Sequence, residues 1–299
     1  MIFEKNEVNT GRQFEFDVAK TFAVLFMIVV HVFDHMVNPG SGILLCVVEF
    51  FGCPPAAGVF MFSMGLGMVF TRHDEPREFA ARGIKLLIMG YVLNFFRETI
   101  LILLGNILGV ENSYEGVSLF SSFMVVDILQ FAGIAFLLVA LFKKMKMKPW
   151  VILAVSLLLN ALGGLTTGLF DNASEYIQYP LGLFIYTNSQ TGFPAFQWMV
   201  YPALGICFGH LLRHVADKEV FYRRMLVLSV ASVALITLGF YAYDINVRSF
   251  FLTEDYYMQI FPTLIWCLCI VDFPGQYMII TRLYYQNIIS QMRLIYGNY

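Results

Sequence analysis

The chain is 299 residues long, 59% hydrophobic and only 13% charged, with a mean hydropathy of +0.70. Water-soluble domains carry about 25% charged residues, so the composition points away from them and toward a bilayer as solvent. A net charge of −2 gives no sign of a nucleic-acid partner, and the placement of the charges matters more than their sum.

Runs of about 20 apolar residues span the hydrocarbon core of a membrane. In chain order they predict helices over 18–37, 55–70, 83–104, 121–142, 149–169, 193–212, 221–243 and 256–272. The fold class expected is therefore an all-α, polytopic membrane bundle of about eight to nine spans, forming one domain over 1–299. Glu4, Glu7, Glu15 and Asp17 precede the first apolar run, and no small-residue cleavage site follows it. The first helix is thus expected to persist rather than to leave as a signal peptide. Residues 43–53 form an extra apolar stretch that stops at Pro54 and Pro55. Proline lacks the N–H and clashes with the preceding turn, so a short interfacial or re-entrant helix is expected there, followed by the second span. The segment from Gly275 to Tyr299 reads as an amphipathic surface helix or as the start of a further helix that this chain lacks.

Fifteen of the 19 Lys and Arg residues fall at the N-terminus or in the loops 72–85, 143–148 and 213–224. The alternate loops 38–42, 105–118, 170–192 and 244–257 contain only Arg248. The positive-inside rule places the basic side, and with it the N-terminus, in the cytoplasm. A bacterial cytoplasmic membrane is the expected location. The five cysteines are an odd number with no C-x-x-C pair, and they read as small apolar packing residues.

Ionisable residues inside spans are costly, and they usually face a bundle interior or a wet cavity. The first span has Lys20 at its cytoplasmic edge and His31 about 16 Å deeper at 1.5 Å per residue, with His35 one turn beyond. Positions 20, 24, 27, 31 and 35 recur at helical spacing, and Asp34 stands where it could orient an imidazole. Asp127 and Gln130 lie toward the outer end of the fourth span, Asn94, Arg97 and Glu98 in the outer part of the third, and Glu49 before the prolines. Their common depth predicts an outward-facing polar cavity, although Arg97 with Glu98 or Asp127 also reads as a buried ion pair. Two histidines four residues apart can share a metal, but no third strong ligand is specified, and no metal is expected. Gly65 and Gly67, Gly105 and Gly109, and Gly205 and Gly209 read as sites of close helix packing. Arg82 and Lys85, at the expected start of the third span, offer positive charge and a helix N-terminus to a phosphate. The outer loop 170–192 carries Asp171, Asn172, Glu175, Asn188 and Gln190, polar groups that read as sugar contacts or as an ordinary exposed loop.

Lys20-x10-His31 resembles the Arg/Lys-x10-His signature in the first helix of acyltransferase-3-type membrane enzymes. "FDVAKTFAVLFMIVVH", "PPAAGVFMFSMGLGMVFTR", "FAARGIKLLIMGYVLNFF", "VDILQFAGIAFLLVALF" and "FPAFQWMVYPALGICFGHLL" are similar, in order and spacing, to segments of the related heparan-α-glucosaminide N-acetyltransferase-like proteins. The likeness covers about residues 12 to 213. It implies an acyltransferase that takes an acyl group, commonly acetyl, from coenzyme A on the cytoplasmic side and passes it to a sugar hydroxyl or amine on the other face. It also implies His31, or His35 one turn outward, as the catalytic histidine; Asp34 and Asp127 are expected beside it from their positions in the spans. Lys20, Arg82 and Lys85 then serve the acyl-CoA, the one co-substrate expected. The chain departs from the pattern at Ala19-Lys20-Thr21, where relatives carry Arg-Gly. Bilayer, acyl-CoA and an extracytoplasmic acceptor are the expected partners; a homo-oligomer is left open. Two other readings use the same polar residues, a transporter or flippase and a non-catalytic relative that keeps the fold.

Overall fold

The computed structural model describes residues 2–11, 13–36, 48, 54–109 and 117–242. Among them the regular elements are helices: α1 (Phe14–Met36), α2 (Pro54–Val69), α3 (Pro76–Asn94), α4 (Ile100–Leu108), α5 (Leu119–Phe123), α6 (Ile128–Lys144), α7 (Pro149–Thr166), α8 (Glu175–Gly182), α9 (Ala195–Trp198), α10 (Val200–Arg213) and α11 (Lys218–Ala242). A single π-helical turn, Phe95–Thr99, joins α3 to α4. The chain divides into two compact units. Of the described residues, 2–70 and 208–242 belong to the first and 71–207 to the second.

Five stretches are long and apolar enough to cross a membrane: Phe14–Phe33, Pro76–Leu108, Pro149–Thr166, Ala195–Arg213 and Lys218–Ala242. The apolar helices α2 and α6 are shorter, at 16 and 17 residues. Seven of the eight expected helices therefore have a counterpart. The expected span 256–272, the stretch 43–53 and the tail from Gly275 lie outside the described residues, apart from the single residue 48.

Two expected boundaries are corrected. The third helix begins at Pro76 rather than 83. Proline suits the first helical position, and the Glu78 carboxylate accepts the Glu75 backbone N–H at 3.3 Å, so the polar residues 76–82 are held as helix despite their hydrophilicity. From Pro76 to Leu108 the helical run of 33 residues is about 50 Å long, well beyond a hydrocarbon core of about 30 Å. The expected span 121–142 is instead two helices, α5 and α6, with residues 124–127 non-helical between them. Asp127 starts α6: its carboxylate accepts from Ile128 N–H at 2.7 Å, while Gln130 Oε1 accepts from Asp127 N–H at 3.2 Å. This reciprocal capping box satisfies donors that a helix start leaves open. The short helix α8 was not expected within the loop 170–192.

In the second unit α3 packs on α6 almost backbone to backbone. A Cβ placed on Gly133 would stand 2.5 Å from Leu87 Cγ and 2.9 Å from the Gly83 carbonyl oxygen. Small residues permit such approach, which drives helix association where lipid offers no hydrophobic gain. Around this seam Phe79, Phe131, Trp198 and Tyr201 are fully buried. In the first unit the N-terminal segment lies along the α10–α11 turn. Glu4 N–H donates to His214 O and Val8 N–H to Arg213 O, both at 2.8 Å, and the Asn9 amide donates to Leu212 O at 3.1 Å. Carbonyls at the end of a helix have no intrahelical partner, and this segment supplies one.

Candidate active site

Lys20 and His31 lie on α1, in the first unit. The packed stripe of α1 is Phe16, Ala19, Ala23 and Val30, spaced by three, four and seven residues as a helix requires. Phe16 meets Phe62 of α2 and Phe208, with ring centroids 6.4 and 5.9 Å apart. Lys20 flanks this stripe and is half-buried. Its ammonium lies against α2 at Gly67, where an added Cβ would stand 3.6 Å from Nζ. No described carboxylate pairs with it. His31 is exposed, so the face formed by 20, 24, 27 and 31 borders the helix seam instead of forming its centre. Asp34 and His35 stand on the last turn of α1, and their side chains, like Glu49 as a whole, lie outside the described residues.

Arg97, Glu98 and Asp127 belong to the second unit, where the structure brings them together. Arg97 Nε donates to Glu98 Oε1, and Nη1 donates to Asp127 Oδ2, each at 3.0 Å. Asp127 is thus committed through both oxygens, one to Arg97 and one to the start of α6. The neighbouring break between α5 and α6 is stitched by Asn94, whose buried amide donates to Phe123 O at 2.9 Å and Val125 O at 2.8 Å. Val126 N–H donates to Gln190 O and Gly192 N–H to Val126 O. Ser122 Oγ donates to Thr99 Oγ1 at 3.2 Å. Non-helical backbone at membrane depth persists only where protein groups satisfy it, and here Asn94, Gln190 and Gly192 do so. The π turn at Phe95–Thr99 brings Arg97 to this break. Such turns concentrate at functional sites.

Arg82 and Lys85 are exposed on α3, and neither forms an ion pair or hydrogen bond with a described residue. They are not at the helix N-terminus, which falls at Pro76 and is flanked by Glu75 and Glu78. Any anion they hold is held by side-chain charge alone. Sequence reasoning missed the capping role of Asp127, although Asp127-Ile-Leu-Gln130 carries the spacing of a capping box. It also missed the π turn, for which the sequence gives no local signal.

Five helices long and apolar enough to cross a membrane mark the chain as an integral membrane protein. Residues 12–244 match the family model of the heparan-alpha-glucosaminide N-acetyltransferase catalytic domain. The chain belongs to that family of membrane acetyltransferases. The search of curated proteins found no match, and neither did the search of solved structures.

Proposed function

We propose that the chain transfers an acyl group, acetyl in the first instance, from cytoplasmic acyl-CoA to a hydroxyl or amine at the opposite membrane face, with a sugar as the acceptor class. The observation that supports this most is the family match over residues 12–244, which encloses Lys20, His31, Arg82, Lys85 and Asp127. In the reaction His31 takes the proton of the acceptor O–H or N–H as that atom attacks the thioester carbonyl. The new C–O or C–N bond forms, the C–S bond breaks, and the thiolate of coenzyme A recovers the proton from the imidazolium. A base with its pKa near the working pH contributes about 10²- to 10⁴-fold. His35 and Asp34, one turn outward, orient the acceptor or the imidazole. Asp127, with both oxygens engaged, is a positioning residue that fixes Arg97 and the start of α6. Lys20 in the first unit and, separately, Arg82 with Lys85 in the second are candidates for contact with the donor's phosphates.

The test is single-turnover transfer of a labelled acetyl group from coenzyme A by the purified chain in lipid nanodiscs, with sugar and amine acceptors. His31→Ala should cut the rate at least about 100-fold while acetyl-CoA binding persists, because a base stabilises the transition state more than the ground state. Retention of more than about a tenth of the rate removes His31 from the role. A loss confined to His35→Ala moves the base one turn outward. Full activity in both variants, or none in the wild type, would favour the transporter or the non-catalytic relative. The direction of transfer has its own check. In a chain cleared of native cysteines, cysteine at Lys144 should label from the cytoplasm and cysteine at Ser174 from the other face; the reverse pattern would invert the direction.

A further inference from the structure

The connection between α6 and α7 reads Lys143-Lys144-Met145-Lys146-Met147-Lys148 before Pro149 and Trp150, four lysines in six residues with no acid among them. Its backbone is fixed. Met147 N–H donates to Phe142 O at 3.0 Å and Lys146 N–H to Lys143 O at 2.9 Å, the two bonds of a Schellman motif, which satisfy carbonyls at a helix end. The Lys148 carbonyl then starts α7 by accepting from Val151 N–H at 2.9 Å and Ile152 N–H at 3.1 Å. In a Schellman motif the residue after the cap is left-handed, and glycine is its usual occupant because it has no Cβ. Here that residue is Lys146, with a φ of +54°, the one non-glycine residue of positive φ among the described residues. A side chain in this conformation costs free energy. Such outliers point to a use of the side chain beyond the fold.

The four ammonium groups divide. Lys143 is engaged within the fold: its Nζ donates to Asp74 Oδ1 and stands 4.9 Å from the centre of the Phe79 ring. Lys144, Lys146 and Lys148 are exposed and make no side-chain hydrogen bond or ion pair with a described residue. Met145 and Trp150, set among them, are also exposed, at 63% and 65%. The turn immediately precedes Pro149–Thr166, a stretch long and apolar enough to cross a membrane, so it emerges at a bilayer surface. Lysines at that level reach phosphate headgroups, and an indole settles between headgroup and acyl chain. A soluble anion would meet the lysines alone and leave Met145 and Trp150 in water.

We propose that the α6–α7 turn is a docking surface for an anionic phospholipid. Lys144, Lys146 and Lys148 meet the headgroup charge, and Met145 and Trp150 meet the glycerol and upper acyl region beneath it. Lys146 keeps its charge at a position where glycine would relieve the backbone, because the charge serves the lipid. None of these residues enters the acyl-transfer reading, so the two stand or fall separately.

Trp150 supplies the readout. The full chain is placed in phosphatidylcholine nanodiscs holding a minor share of phosphatidylglycerol or phosphatidylcholine with brominated acyl chains. Quenching at Trp150 is the difference between the wild type and Trp150→Phe. Each lysine near a membrane surface favours anionic lipid about fivefold, so phosphatidylglycerol should be preferred at least about tenfold at low salt. Lys146→Gly removes the charge and the strain together. It should cut the preference about fivefold, with a melting temperature that stays level or rises. Lys144→Gln, Lys146→Gln and Lys148→Gln combined should bring the two lipids to parity. Arg223→Gln, whose charge Glu219 already meets at 3.3 Å, should leave the preference unchanged. Equal quenching by both lipids in the wild type, an undiminished preference in Lys146→Gly, or a melting temperature that falls with it would overturn the proposal. So would an equal loss in Arg223→Gln, the sign of diffuse attraction. Displacement of phosphatidylglycerol by inorganic phosphate, beyond the effect of chloride at the same ionic strength, would assign the lysines to a soluble anion instead.

Discussion

The seam between α1 and α2 and the seam between α3 and α6 both contain glycine, but they use it differently. At α3–α6, Gly83 and Gly133 bring the backbones together, and a Cβ on Gly90 would stand only 2.8 Å from the Gln130 side chain. At α1–α2, Gly67 borders the Lys20 ammonium at ordinary contact distance. The cations differ in the same way. Arg97 is met by two carboxylates at 3.0 Å, whereas Lys20 has no described counter-charge. A membrane protein can neutralise a cation internally, as part of its architecture, or leave it for an anion that arrives from outside. Among the described residues Arg97 is neutralised internally, whereas Lys20 meets no counter-charge.

The comparison can be broken at several points, the largest effect first. Gly133→Ala should destabilise by about 1–3 kcal/mol, the cost of overpacking a tight interface, because its Cβ would meet Leu87 and the Gly83 carbonyl. Thermal unfolding in detergent checks this; an unchanged midpoint would mean that α3 and α6 do not need their close approach. Arg97→Met should cost about 1–2 kcal/mol, since charge-assisted hydrogen bonds contribute about 1.5–3 kcal/mol and partial exposure reduces that. Adding Asp127→Asn should return part of the loss, because asparagine still caps α6 and no longer leaves an unpaired charge. If the double variant is worse than the single one, Asp127 matters for more than this pair. Gly67→Ala should be the mildest, within about 0.5 kcal/mol, because its Cβ would meet only the flexible end of Lys20 at 3.6 Å.

The parts of the molecule that could be read from sequence are those governed by apolar run length. The α1, α2, α7 and α11 segments, and α9 with α10 taken together, follow from hydropathy to within a few residues, because the bilayer thickness sets the length of a span. The start of α3 and the α5–α6 break do not follow from it. Hydropathy averages over the polar residues 76–82 and over 124–127, while capping by Glu78 and Asp127 decides the backbone locally. At the candidate site, a buried pairing of Arg97 with Glu98 or Asp127 was one of two readings of the sequence; the structure forms both pairs but leaves the Arg97 side chain 41% exposed. The Asn94 bonds to 123 and 125 needed three-dimensional closure across some thirty residues, which no local pattern encodes. Lys20 and His31 were legible as ionisable groups in a span. Their position beside the packed stripe of α1, rather than within it, became visible only once Phe16, Ala19, Ala23 and Val30 had chosen the buried side.

The proposed function needs an anionic donor to meet Lys20 in the first unit and, as a separate question, Arg82 and Lys85 in the second. Calorimetry of the full chain with acetyl-CoA, coenzyme A and dephospho-coenzyme A tests it most directly. The wild type should bind coenzyme A more tightly than the dephospho form. Lys20→Met should weaken acetyl-CoA binding at least about tenfold, as the loss of a charge-assisted contact implies, with no fall in melting temperature. Arg82→Gln with Lys85→Gln should weaken it similarly and flatten its salt dependence, and Arg97→Met should leave it unchanged. Undiminished acetyl-CoA affinity in both Lys20→Met and the Arg82–Lys85 double variant would contradict the account and leave these residues with a topological role alone.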